Sequence, residues 1–129
     1  MINIVISQTS NQPIYEQIKN QIKQEILRGN LKKGDSLPSI RVLAKELNVS
    51  VITTKRAYEE LEKEGFIITV PARGTFVADI DKEKLSLFGL QEIENDLKHI
   101  VKKAKIFGVD LKNLLEIIER LYRREEDKV

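Results

Sequence analysis

The chain has 129 residues, 41% hydrophobic and 33% charged, with a formal net charge of +2, which suits one ordinary domain or a small domain with an appendage and gives no global attraction to nucleic acid. No apolar run approaches the ~20 residues that cross a bilayer, the opening "MINIVISQTSNQ" lacks the basic flank and apolar core of a signal peptide, and the absence of cysteine excludes disulfides and thiolate chemistry. A protein of the reducing cytoplasm, with no membrane partner, is expected, and an aromatic content of 5% without Trp argues against a large aromatic-lined pocket.

From the N-terminus, "INIVI" (Ile2–Ile6) is short and β-branched, a strand or an extended arm. A polar linker leads to Pro13, which suits the first turn of a helix. Ile14, Ile18, Ile22 and Ile26 then recur at every fourth position, with Tyr15 and Leu27 widening the stripe, so an amphipathic helix runs to Arg28. Gly29 stops it. "NLKKGDSLPS" is a turn-rich connection, in which Pro38 forces Leu37 to be extended.

Ser39 can cap a helix over Ile40–Leu47, and Asn48 tolerates a left-handed turn. Val49 reads as a buried plug. Ser50 then caps a longer helix that Gly65 ends. A short helix, a tight turn and a longer helix form a helix-turn-helix. In the longer helix Thr54, Ala57, Tyr58 and Leu61 share the inward face. After it, Phe66–Val70 and Thr75–Ala78 flank "PARG", a β-hairpin with a Gly-containing loop. A hairpin in that place is the wing of a winged helix.

From Asp81 onward the pattern is helical. Leu87, Leu90, Ile93, Leu97, Ile100, Val101, Ala104 and Phe107 mark one helix, which Gly108 breaks. Asp110 can cap a second, carrying Leu111, Leu114, Leu115, Ile117, Ile118 and Leu121. This αα-hairpin is too small for a robust core alone. Its wide apolar stripe must cover the first domain, a second copy, or both. The predicted architecture is therefore mostly α with a small β-hairpin wing: a winged helix-turn-helix domain with its arm over 1–80, and a two-helix hairpin over 81–129.

Charge is uneven along the second helix of the helix-turn-helix. Residues 39–58 hold Arg41, Lys45, Lys55 and Arg56 against Glu46, a net +3, whereas residues 59–64 carry four glutamates against Lys63, a net −3. A local basic patch can bind phosphate on a nearly neutral protein. The acidic half reads as a solvated face pointing away from such a ligand.

"PIYEQIKNQIKQEILRGNLKKGDSLPSIRVLAKELNVSVITTKRAYEELEKEGFIITVPARGTFV" resembles the winged-helix DNA-binding domain of the GntR family of bacterial transcription regulators. The resemblance covers Pro13 to Val77, about half the chain, and its carriers are "GDSLPSIRVLA", "NVS", "AYEELEKEGFI" and "RGTFV". The short helical tail resembles the dimerisation hairpin of the YtrA-like subgroup. The resemblance implies a homodimeric repressor that binds double-stranded DNA, often at transporter genes, and no cofactor is expected. It also implies DNA contacts from Ser39 and Arg41, from Ser50, Thr53 and Lys55 on the recognition helix, and from Arg73 and Gly74 on the wing, with Thr75 beside them. Leu90, Ile93, Leu97, Ile100, Leu111, Leu114, Leu115, Ile118 and Leu121 are the corresponding candidates for the joint between copies.

The sequence departs from its relatives at Val51 and Ile52, where polar residues are common. Valine cannot take a guanine bidentately as arginine does. Two readings remain for this pair: contact with thymine methyls in the major groove, or plain core. Arg56 likewise either meets DNA or pairs with Glu59 or Glu60 one turn on. His99 has no second His or Cys to share a metal, so no metal is expected. No nucleophile–base pair or phosphate-cradling loop points to catalysis. Besides the DNA-binding regulator, a protein-interaction winged helix and a sensor holding an effector of unknown identity between head and tail remain open.

Overall fold

The computed structural model describes residues 2–127. It comprises two units, one running to Leu85 and one from Ser86 on.

In the first unit, α1 (Ile14–Leu27) forms over the isoleucine repeat and buries Ile18, Ile22 and Ile26. Pro13 stands just ahead of it, its carbonyl accepting the N–H groups of Glu16 and Gln17. α2 (Ile40–Leu47) and α3 (Val51–Lys63) occupy the expected spans. Both open on serine: Ser39 Oγ accepts from the Val42 N–H at 3.2 Å and Ser50 Oγ from the Thr53 N–H at 3.0 Å. Each bond satisfies one of the amides a helix start leaves without an internal partner. Asn48 turns the chain between the helices at φ 56°, ψ 47°, a left-handed conformation that its short polar side chain tolerates. Val49 is only half-buried, less of a plug than the sequence suggests.

Three strands, not two, make the sheet. β1 (Ser36–Leu37) joins β2 (Ile67–Val70) and β3 (Gly74–Val77) in the antiparallel order β1-β3-β2. Leu37 pairs with Thr75 and Val70 with Gly74. Pro71 and Ala72 form the corners of the hairpin turn, closed by the Arg73 N–H on the Val70 carbonyl at 3.0 Å. Pro at the first corner and a positive φ at the second describe a type II turn. The left-handed position falls on Ala72 (φ 66°), while Gly74 already lies in β3. The core of this unit sits where α1, α2 and α3 meet the sheet, with Leu43, Leu61, Phe66 and Ile67 all but fully buried.

The arm is extended without joining the sheet. Gln17 and Gln21, one turn apart on α1, hold it through their amides. Gln21 accepts from the Val5 N–H at 2.9 Å and donates to its carbonyl at 2.7 Å. Gln17 does the same at Ser7, at 2.8 and 3.0 Å. These amides substitute for a strand neighbour and seat Ile4 in the core.

α4 (Lys82–Ile106) and α5 (Leu111–Asp127) follow. The division between units falls within α4, because its first turn is tied to the head: Lys84 Nζ donates to the Glu64 carbonyl and lies 5.9 Å from the Phe66 ring centre. α4 ends where the Val109 N–H reaches back to the Ala104 carbonyl at 2.8 Å, and Asp110 caps α5 through the Asn113 N–H at 2.9 Å. α4 buries none of its side chains.

Candidate nucleic-acid interface

The two serine caps leave both helix starts of the helix-turn-helix open to an anion. Ser39 and Ser50 are exposed, and so are Arg41 and Lys55. Ser50 also donates its hydroxyl to Thr53 Oγ1 at 2.7 Å, so the Thr53 hydroxyl keeps its own hydrogen to donate. Thr53 is half-buried, and Thr54 donates to the Ser50 carbonyl at 3.1 Å, which locks the first turn. A helix start with capped but outward-facing amides, flanked by arginine and lysine, attracts phosphate.

Val51 and Ile52 are on the surface, at 40% and 80% exposure, which removes the core reading for both. Water does not reward an apolar pair in the first turn of a helix. Arg73 is exposed at the hairpin turn, Gly74 is exposed one residue on, and Thr75 is half-buried in β3.

Arg56 faces another way. Its guanidinium lies 3.8 Å from the Tyr15 ring centre on α1, and Nε is 3.4 Å from Glu60 Oε2. That stack links α1 to α3, while the Arg56 side chain stays 62% exposed. Local spacing on α3 pointed only to the glutamates; the aromatic platform comes from a helix far away in sequence. Lys55, 4.0 Å from Glu59, is exposed and loosely paired.

The acidic half of α3 is not simply a solvated face. Lys23 Nζ meets Glu64 Oε1 at 2.6 Å, and Lys19 Nζ lies 3.6 Å from Glu64 Oε2 and 3.5 Å from Glu60. Glu62 accepts the Thr69 N–H at 3.0 Å. Burial works to raise the Glu64 carboxyl, but the hydrogen bond and charge of Lys23, followed by those of Lys19, bring it below its ordinary value. The axial polarity of α3 thus divides its labour. Its back half is bonded to α1 and β2, and its front half presents an apolar and basic end to solvent.

Tyr58 is buried, and its hydroxyl donates to the Pro38 carbonyl at 2.6 Å instead of reaching the surface. Burial, reinforced by Glu46, raises its pKa well above the usual phenol range. This bond ties the middle of α3 to Pro38, just ahead of the Ser39 cap of α2.

The tail residues expected at a joint between copies are open. Leu90, Ile93, Leu111 and Leu115 are more than half exposed, Leu97, Ile100, Ile118 and Leu121 are exposed to a lesser degree, and Leu114 is half-buried. Among the described residues no group of His, Cys, Asp or Glu could hold a metal, and no helix is long and apolar enough to cross a membrane.

Comparison with known proteins places these features in context. Residues 14–77 match the family of bacterial regulatory proteins described as the gntR family. The chain is 40% identical over 118 residues to the HTH-type transcriptional repressor YtrA of Bacillus subtilis, a match spanning 92% of this chain and 91% of that protein. A GntR family transcriptional regulator from Listeria monocytogenes superposes with a TM-score of 0.72 at 28% identity, covering 89% of this chain and 98% of that one. The DNA-binding domain of AraR, solved in complex with operator ORX1, gives a TM-score of 0.53 at 26% identity over 60% of this chain and 96% of that one.

Proposed function

This chain belongs to the GntR family of bacterial regulatory proteins, and on that footing we propose that it is a homodimeric transcriptional repressor reading an inverted-repeat operator. It is a DNA-binding regulator of that family and not an enzyme. The observation that carries the finer reading is the exposed apolar and basic first turn of α3, with Val51 and Ile52 bared beside Lys55. A helix of this kind fits the major groove of DNA, where apolar side chains meet thymine methyls. Ser39, Arg41, Ser50, Thr53 and Lys55 hold phosphates or base edges around it. Arg73 enters the adjacent minor groove from the wing, and Gly74 and Thr75 let the backbone approach. Arg56, stacked on Tyr15, steadies α3 from behind. The likeness to the AraR domain solved with its operator supports duplex DNA as the ligand of this head.

The open face of the tail supports the dimer, since a single copy leaves its leucines and isoleucines in water. Two-fold symmetry in the protein calls for two-fold symmetry in the site, with half-sites about 34–36 Å apart or a multiple of that. Iterative selection from randomised duplex DNA tests the reading. An enriched inverted repeat is expected, richer in A·T where Val51 and Ile52 dock. Binding with no enriched sequence would overturn it and leave a protein-interaction module.

A further inference from the structure

α4 carries a heptad that runs one residue past its end, to Phe107. Leu90, Ile93, Leu97, Ile100, Ala104 and Phe107 alternate at three- and four-residue steps, the a and d positions of a coiled coil. All are exposed except Ala104, which is half-buried. The charges beside this seam are segregated. Residues 92–96 hold Glu92, Glu94 and Asp96, whereas residues 98–105 hold Lys98, Lys102, Lys103 and Lys105.

Resting on the dimer reading above, we propose that two copies meet α4 against α4 in antiparallel register, centred between Leu97 and Ile100. In an antiparallel pair each a residue faces a d residue of its neighbour. Leu97 then faces Ile100 of the second copy, Ile93 faces Ala104, and Leu90 faces Phe107. The small Ala104 leaves room for Ile93 of the other copy, as close packing requires. The flanking g positions are Asp96 and Lys103, and this register sets Asp96 of each copy against Lys103 of the other, twice by symmetry. The acidic segment of each helix lies along the basic segment of its partner. A parallel pair would do the opposite: it stacks Phe107 on Phe107 and sets four lysines beside four lysines, which like-charge repulsion opposes.

The test uses the full chain and its native side chains. Isotopically heavy and light protein are mixed, allowed to exchange, and treated with a carbodiimide, which joins a carboxylate and an amine only where they touch. Peptides are then read by mass, while light scattering gives the mass of the particle. A heavy–light amide between Asp96 and Lys103 in a particle of two chains is expected. A dimer whose crosslinks between copies omit this pair would overturn the register and leave the dimer standing. A monomer at all concentrations would overturn both. The charge reversal D96K should weaken the dimer about tenfold by setting like charges opposite at two places, and D96K with K103D should restore it. If the double reversal is no tighter than D96K alone, the two residues do not face each other and the proposal is wrong.

Discussion

The head and the tail of this chain reach order by different means. In the head, α1, α2, α3 and the sheet bury Ile18, Ile22, Leu43, Leu61, Phe66 and Ile67 against one another. In the tail, α4 fully buries none of its side chains, and Leu90, Phe107, Leu111 and Tyr122 are mostly in contact with water. The head is stable by its own contacts. The tail leaves its apolar stripe in water, and the pairing of copies proposed above would make its stability depend on concentration. The same amphipathic grammar gives a core in one region and an adhesive face in the other.

The largest expected effect probes the head. Leu61→Ala, at a site with no exposure, should cost about 2–5 kcal/mol of stability by lost burial and a residual cavity. Urea denaturation at several protein concentrations would give the same midpoint shift at each. Leu97→Ala in the tail should leave head unfolding within about 0.5 kcal/mol while loosening the dimer. Equal losses in the two regions would erase the distinction between them.

The next effect concerns DNA. Arg41→Ala and Lys55→Ala should each weaken operator binding and reduce the slope of log affinity against log salt by about 1, as expected for loss of one phosphate contact. Arg56→Ala should leave that slope unchanged and lower head stability, because its partners are Tyr15 and Glu60. A slope that falls with Arg56 would return that residue to the interface.

A smaller effect follows from Glu64. Its folded pKa is lowered below the ordinary 4.5, so its contribution to stability is present above pH 4.5 and is lost as pH falls through the lower folded value. With its side chain 31% exposed, solvent screening limits this contribution to about 1 kcal/mol. Glu64→Gln should therefore destabilise the head at pH 7 and lose that effect in acid. The smallest expected effect is a gain: Ala72→Gly relieves a left-handed residue at the wing turn (φ 66°) and should add up to about 1 kcal/mol. Thermal melting resolves both.

Helix spans and caps were legible because their signals are local. Ser39, Asn48, Ser50 and Gly65 punctuate α2 and α3 within a few residues of the turns they control. β1 was not legible, since two residues carry no alternation and its partners Thr75 and Phe76 lie far along the chain. The same holds for the site. The exposed serines follow from their places at helix starts and Arg41 and Lys55 from the local basic stretch, whereas DNA contact by Arg73 is what the family resemblance implies. The commitments of Arg56 to Tyr15, of Glu64 to Lys23 and of the Tyr58 hydroxyl to Pro38 cross between elements, and neither composition nor periodicity encodes them. The two glutamine clamps of the arm are likewise tertiary: polar residues at adjacent turns of α1 read as a solvated edge until the arm is laid against them.

The most direct measurement compares the intact selected operator with one whose second half-site is scrambled, following affinity and the number of chains bound by the full protein. Two chains on the intact site and an affinity at least about a hundredfold higher than on the scrambled one are expected, because copies joined through the proposed tail interface make the second binding event intramolecular. One chain per duplex with equal affinity for both sites would contradict this expectation.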